Sequence, residues 1–470
     1  MIRLLVALLL WVGAAHPALA QRMPAPLVQA LQAAGVTDEQ FGLVVMPVSG
    51  GAALAEHNAR QPLNPASAMK LVTTYAALGL LGADYRWRTR VWARGIVEDG
   101  VLAGHLVIEG GGDPKFVIED LTELIARLRA RGLREIRGDL IVDDALYDVG
   151  DDSVEAFDDG RSQPYNVRPH AALMNFKSTR VVARSDGKTV DIELDPPLAD
   201  VRVLNAVRAT RGACRAGAAV LAVSDAGSPA RPAIRVAGAL PSGCAEASTY
   251  ASVLTHPQFI HSFFKAAWQR AGGSWDGATR IERGGAGGEL LDEWISPRPL
   301  SEIVRDVNKF SNNVMARQLM LQLAAERGAR PATPAGARAI VQGWLRAQGL
   351  RFPELVVDNG SGLSRDERIA PASLATLLAH AASSPHRQAF VDSLPTAGVD
   401  GTMRYRLVSD PVAGNAWIKT GSLADVRSIA GYVQAASGRV YAIVLLVNSP
   451  RANATAPAQD ALLRWVYANG

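Results

Sequence analysis

Lysine is scarce in this chain: seven among 470 residues, against 42 arginines. Where arginine is the default cation, a lysine set among apolar residues is a candidate for proton transfer, because arginine does not lose its proton in a protein. Cysteine is scarcer still, with only Cys214 and Cys244. They lie in no CxxC and beside no histidine pair, which argues against a metal site; in an exported chain such a pair forms one disulfide. The eight histidines are scattered without ligand spacing, so no metal and no cofactor are expected. No window is dense in arginine and lysine with interleaved aromatics, and 49 cations stand against 45 acids, so no nucleic-acid partner is expected. Beyond the first twenty residues, no apolar stretch is long enough to cross a membrane.

Those first twenty residues are a class of their own. Arg3 is followed by "LLVALLLWV" and then by "GAAHPALA", with Ala18 and Ala20 in a small-residue cleavage pattern, which reads as a secretory signal peptide over 1–20. Removing it takes away one cation and no acid, so the formal charge goes from +4 to 4 − 1 = +3. The mature protein is expected to be soluble and outside the cytoplasm, with at most peripheral membrane contact. What remains is too long for one ordinary core, so two or three domains are expected.

"FGLVVMPV", "SGG" and "AALAEHN" read as strand, turn and strand, and "MKLVTTYAALGLLG" as a largely apolar, buried helix. From about residue 90 the texture turns to hairpins and short strands, so 91–257 reads as a mainly β insertion, with 185–246 a subdomain nested in it. Helical texture is expected from "HPQFIHSFFKAAWQRAGG" to about residue 390. Strands "WIKTG" and "SIAGYVQAASGRVYAIVLLVN" and a closing helix follow. Strands at both ends of the chain with helices between them suggest one antiparallel sheet built from both termini. Residues 21–90 and 258–470 would form that unit. Gly110-Gly111-Gly112-Asp113 lacks a following Gly-Lys-Ser/Thr and reads as a turn, not a phosphate cradle. Asp151-Asp152 and Asp158-Asp159 read as solvated loop charge, since the Asp-x-Asp-x-Asp-Gly pattern of a calcium loop is missing.

Three Ser-x-x-Lys pairs occur: Ser67–Lys70, Ser185–Lys188 and Ser262–Lys265. Context separates them. Ser67 follows Pro65-Ala66 at an expected helix N-terminus, where backbone N–H groups are free, and Lys70 lies one turn on along the same face. Ser185 opens "SDGK", a turn that aligns nothing. Ser262 falls inside a helix whose N–H groups are already bonded, and its lysine reads as a solvated flank. Two further motifs follow Ser67–Lys70 in order, each occurring once: Ser311-Asn312-Asn313 and Lys419-Thr420-Gly421. Taken alone, the first could be a helix cap and the second the end of a strand.

Together they make an acyl-transfer site. A serine hydroxyl needs a base to attack an acyl carbon at neutral pH. An ordinary lysine is neutral in only about one molecule in 2,500 at pH 7, so Lys70 must be depressed by burial and by a second cation. Lys419 is that cation. Asn313 and Ser311 are expected to hydrogen-bond Lys70 and relay its proton to the leaving amine. The N–H groups of Ser67 and Ser422 are expected to form the oxyanion hole, and Lys419 with Thr420 to hold a substrate carboxylate.

At this point the chain resembles the exported D-alanyl-D-alanine carboxypeptidase/endopeptidase family, the class C low-molecular-mass penicillin-binding proteins. The resemblance is carried by "PASAMKL", "SNN" and "KTGSL" with "GGGDP", "DNGSGLSRDERIAP" at 358–371, "SLPTAGVDGTM" at 393–403 and "IAGY" at 429–432. It implies an α/β (α+β) serine transpeptidase/β-lactamase-like catalytic domain, an antiparallel sheet flanked by helices, interrupted by smaller domains between its first two motifs. It implies a Ser67 acyl-enzyme that releases terminal D-alanine or cuts D-alanyl cross-links, peptidoglycan peptides as substrates, β-lactams as covalent inhibitors and a periplasmic location. Arg365, in "SGLSR", resembles an arginine that the family places near its substrate cleft. "SNN" departs from the commoner Ser-Asp-Asn, but the side chain of Asn312 should point away from the site. A serine β-lactamase is disfavoured by the large insertion and by the lack of an assignable deacylating carboxylate. A decayed wall-binding protein is disfavoured by intact Ser67, Lys70 and Lys419. Oligomeric state, a homodimer included, stays open.

Overall fold

A computed structural model describes residues 23–150, 157–160, 162–328 and 330–470. Residues 1–20, expected to be a signal peptide, and Asp151-Asp152 lie outside the described residues. Alternating side chains in the first strand set the architecture. In Phe41–Pro47, Leu43 and Val45 face one way and Val44 the other, and all three are buried, so both faces of the sheet must be covered. Leu43 and Val45 join one core with Leu27 and Leu31 of helix Ala25–Ala33 and Leu462, Leu463 and Val466 of the closing helix Ala456–Asn469. Val44 joins a second core with Leu71 and Val72 of helix Lys70–Leu81 and Leu374 and Leu378 of helix Pro371–Ser383.

The sheet runs Ala416–Leu423, Val426–Gln434, Val440–Asn448, Phe41–Pro47, Ala55–His57. All its pairings are antiparallel, and Phe41↔Val447 through Pro47↔Tyr441 joins the start of the chain to its end. The expected antiparallel sheet built from both termini and flanked by helices is therefore present.

The inserted region differs in extent from the expectation. Strand Arg88–Glu98 pairs with Val101–Glu109 on one side and with Glu289–Ile295 on the other. Short strands Ser274–Trp275 and Thr279–Ile281 join the same sheet in parallel with Glu135–Ile136 and Leu140–Asp143. Helices Ile118–Ala130 and His256–Arg270 share its core through Leu124, Leu128, Phe263 and Trp268. The stretch after residue 257, expected to be helical and to belong to the terminal sheet's unit, thus holds one helix and three strands that pack with the insertion. Without Glu289–Ile295, strand Arg88–Glu98 would be left with an unpaired edge, so its sheet runs on to Ile295. Two three-stranded sheets lie within it, spanning Thr179–Ser185 to Glu246–Ala251, slightly wider than the expected 185–246. Cys214 and Cys244 are disulfide-bonded there, with Cα atoms 4.7 Å apart.

Candidate active site

Three elements converge on one point. Ser67 sits in the 3-10 turn Ala66–Met69 that leads directly into helix Lys70–Leu81. Ser311 and Asn313 lie where helix Leu300–Lys309 breaks into helix Asn313–Arg327. Lys419 and Thr420 come from the edge strand Ala416–Leu423. Two residues here are held in the left-handed region, Ala66 with φ 44° and Ser311 with φ 56°, conformations that cost a non-glycine residue about 1–3 kcal/mol.

The Lys70 amine is fully buried and donates to Ser67 Oγ at 3.0 Å, to Asn313 Oδ1 at 2.6 Å and to the Ser361 carbonyl oxygen. Burial, then the Lys419 charge, holds its pKa well below the ordinary lysine range, with Arg317 adding to the effect and Glu367 opposing it. Lys419, also fully buried, donates to Ser311 Oγ at 2.9 Å and to its neighbour's carbonyl, Thr420 O, at 2.7 Å. Burial alone brings its pKa down to about 7. The expected relay is divided: Asn313 bonds Lys70, whereas Ser311 bonds Lys419. Asn312 does point away. Its Oδ1 accepts from Met315 N at 3.0 Å, so the bland cap reading holds for the middle residue of the motif.

Two backbones press on Ser67. A Cβ at Gly362 would lie 2.0 Å from Ala66 O and 2.6 Å from Ser67 N, and one at Gly421 would lie 2.8 Å from Ser67 N. The Lys-Thr-Gly segment of the strand thus runs directly against the Ser67 amide, with Ser422 next in the chain. Thr420 Oγ1 is 2.8 Å from Thr402 Oγ1. The loop carrying Thr402 is fastened by Asp400, which accepts from Lys309 Nζ at 2.6 and 2.7 Å and from Thr396 N at 2.8 Å. Buried Asn308 ties the helices together by donating to Thr74 Oγ1 at 3.2 Å and Ser393 Oγ at 2.8 Å.

Arg365 stands on an exposed rim. It donates to Asp425 Oδ1 at 2.6 Å and to Asp158 Oδ1 at 2.9 Å, and its guanidinium carbon lies 5.0 Å from the centroid of the Phe157 ring. Asp158 is therefore an ion-pair partner and not merely solvated loop charge. The rival serine–lysine pairs are elsewhere. Ser185 closes a turn through Thr189 O, and Ser262 is buried within its helix. Lys265, expected to be a solvated flank, is instead buried and paired with Asp200 at 2.8 Å and Asp276 at 3.2 Å.

Three residues at the site escaped sequence reasoning: Arg317, Ser361 and Glu367. Arg317 is half-buried, with its pKa lowered to about 10 by desolvation, and donates to Tyr165 O at 2.9 Å. The only signal for Ser361 and Glu367 was their position in "DNGSGLSRDERIAP".

A family model described as the D-Ala-D-Ala carboxypeptidase 3 (S13) family matches residues 24–468. The chain is 30% identical over 452 residues to a D-alanyl-D-alanine carboxypeptidase of Actinomadura sp., covering 90% of this chain and 80% of the relative. It is 26% identical over 412 residues to the D-alanyl-D-alanine carboxypeptidase DacB of Haemophilus influenzae, covering 87% and 85%. The crystal structure of penicillin binding protein 4 (dacB) from Haemophilus influenzae matches with a TM-score of 0.78 at 24% identity, over 94% of this chain and 99% of that one. That likeness establishes the penicillin-binding fold.

Proposed function

Because the chain belongs to the D-Ala-D-Ala carboxypeptidase 3 (S13) family, we propose that Ser67 is its nucleophile and Lys70 the base of a two-step acyl transfer on peptidoglycan stem peptides. The observation that carries the reading is the buried Lys70 amine, 3.0 Å from Ser67 Oγ and short of any carboxylate hydrogen-bond partner among the described residues. As Ser67 Oγ bonds to the carbonyl carbon of the penultimate D-alanine, its proton passes to Lys70 Nζ. The oxyanion is held by the N–H groups of Ser67 and Ser422, donors worth about 3–4 kcal/mol each. The C–N bond then breaks, and Lys70, held in place by Asn313, gives the proton up to the leaving amine by way of the Ser311 hydroxyl, so that the amine departs as D-alanine. Water attacks the ester by the reverse proton path and frees Ser67. Lys419 and Thr420 bind the terminal carboxylate, and Arg365 contacts substrate from the rim. A cross-linked peptide is cut by the same steps with a larger leaving group, which gives endopeptidase activity. The signal-peptide pattern over 1–20 supports export to the periplasm; among the described residues no helix is long and apolar enough to cross a membrane.

The test is intact mass spectrometry of the mature protein with benzylpenicillin, followed by tryptic mapping. One long-lived acyl group per chain on the peptide 61–70, with release of D-alanine from an acyl-D-Ala-D-Ala peptide, is the expected result. Rapid loss of the adduct with consumption of the drug would make the protein a β-lactamase. No adduct and no D-alanine would make it a wall-binding protein.

The pH profile follows from Lys419. A carboxylate entering beside it selects the ammonium form, whose pKa in the free enzyme is about 7. Above that value kcat/KM for a D-Ala-D-Ala peptide should fall by about tenfold per pH unit, while kcat holds to higher pH because the bound carboxylate favours the charged amine. A kcat/KM flat from about pH 6 to about pH 9 would remove Lys419 from carboxylate binding.

A further inference from the structure

Glu367 is a fully buried carboxylate that the proposed mechanism does not use. It lies in the loop that follows the Asp358–Gly360 turn, and its Oε1 accepts from three consecutive backbone N–H groups: Asp358 at 3.3 Å, Asn359 at 3.2 Å and Gly360 at 2.8 Å. The turn so gathered delivers the Ser361 carbonyl oxygen to Lys70 Nζ. Its shape is reinforced by Asn359, whose Oδ1 accepts from Ser361 N at 3.0 Å and Ser361 Oγ at 2.5 Å, and by Thr73 Oγ1, which donates to Gly360 O at 2.7 Å. The other oxygen, Oε2, is buried and has no hydrogen-bond partner. Charge there is therefore felt only through space.

We propose that Glu367 is a positioning residue for Lys70: it folds the 358–361 turn so that the Ser361 carbonyl holds the Lys70 amine against Ser67, and its charge acts on that amine across the turn. The inference rests on Lys70 being the base for Ser67. The charged groups that act on Glu367 are Asp358 in its own turn, Lys70 from the nucleophile's helix and Arg317 from helix Asn313–Arg327. Burial, opposed by the Gly360 and Asp358 N–H groups and by the Lys70 charge, raises its pKa to about 7, so its charge changes near neutral pH. The carboxylate form raises the Lys70 pKa and the neutral form does not.

Two variants separate shape from charge. Glu367→Gln keeps an oxygen acceptor for the turn and removes the charge. Benzylpenicillin acylation rates measured against pH should then show the acid limb moved to lower pH, with the plateau within about threefold of wild type. Glu367→Ala removes the acceptor as well, and a base displaced by about an ångström is expected to lower the plateau by about 10- to 100-fold without raising KM in proportion. Circular dichroism and thermal unfolding establish that each variant is folded. An unmoved acid limb in Glu367→Gln would overturn the through-space coupling. A folded Glu367→Ala with the wild-type plateau would overturn the positioning role. If wild type itself forms no Ser67 adduct, the reading of Lys70 fails instead, and the two failures are told apart by that control.

Discussion

Lys70→Met is expected to slow benzylpenicillin acylation at Ser67 by about 10³- to 10⁴-fold, the upper part of the range for a positioned general base. That loss corresponds to about 4–5.5 kcal/mol of transition-state stabilisation. The upper part is expected because Lys70 has no understudy. The other cations near the site are Lys419, bonded to Ser311 and Thr420, and Arg317, which as an arginine keeps its proton. Methionine fills the space of a fully buried side chain with an apolar one of similar length, so the core should close around it. The change leaves Asn313 Oδ1 and the Ser361 carbonyl without a donor, at about 1–3 kcal/mol for each buried acceptor. It also removes a buried amine that is itself costly to desolvate, so the net change in stability is smaller than the change in rate. Stopped-flow acylation and urea unfolding, run on the same preparation, check both halves. A rate loss under about tenfold would assign the proton to another group.

The sequence exposed this site because its parts are rare. A chain with so few lysines that sets one of them three residues after a serine, at an expected helix start, leaves few rival readings. The rivals at Ser185 and Ser262 could be dismissed from local context. Strand alternation at Phe41–Pro47 and the apolar strands near the C-terminus also made the shared sheet legible. What stayed hidden depends on contacts distant along the chain. Glu367 accepts hydrogen bonds from the neighbouring 358–360 turn, and its relation to Lys70 appears once Gly362 has been pressed against Ala66 O. Ser361 contributes a backbone oxygen, which carries no side-chain signal. The extent of the insertion is not legible locally, because Glu289–Ile295 pairs with a strand some two hundred residues upstream and such pairing leaves no local pattern. Lys265 was misread because its acids, Asp200 and Asp276, come from other loops.

Gly421→Ala should cost about 10²- to 10³-fold in acyl transfer although it adds one methyl group outside the reacting atoms. The backbone at Gly421 is not left-handed, so alanine is allowed there by conformation, and the effect is one of space. The new Cβ would lie 2.2 Å from Ser428 Oγ and 2.8 Å from both Pro65 O and Ser67 N. Ser428 can swing away only by surrendering its 2.6 Å hydrogen bond to Pro65 O in a buried site. Pro65 and Ser67 belong to the rigid entry of the nucleophile's helix, so the strand Ala416–Leu423 must retreat. Its retreat carries off Lys419, Thr420 and the Ser422 amide together, which weakens carboxylate binding and the oxyanion hole in a single movement. Overpacking of this kind also costs about 1–3 kcal/mol of stability. Pairing the change with Ser428→Ala removes the 2.2 Å conflict but leaves the backbone conflicts with Pro65 O and Ser67 N. The double variant should therefore recover part of the lost thermal stability and little of the lost kcat/KM. Recovery of both would mean that the Ser428 hydroxyl, and not the approach of the strand to the Ser67 amide, is what the glycine protects.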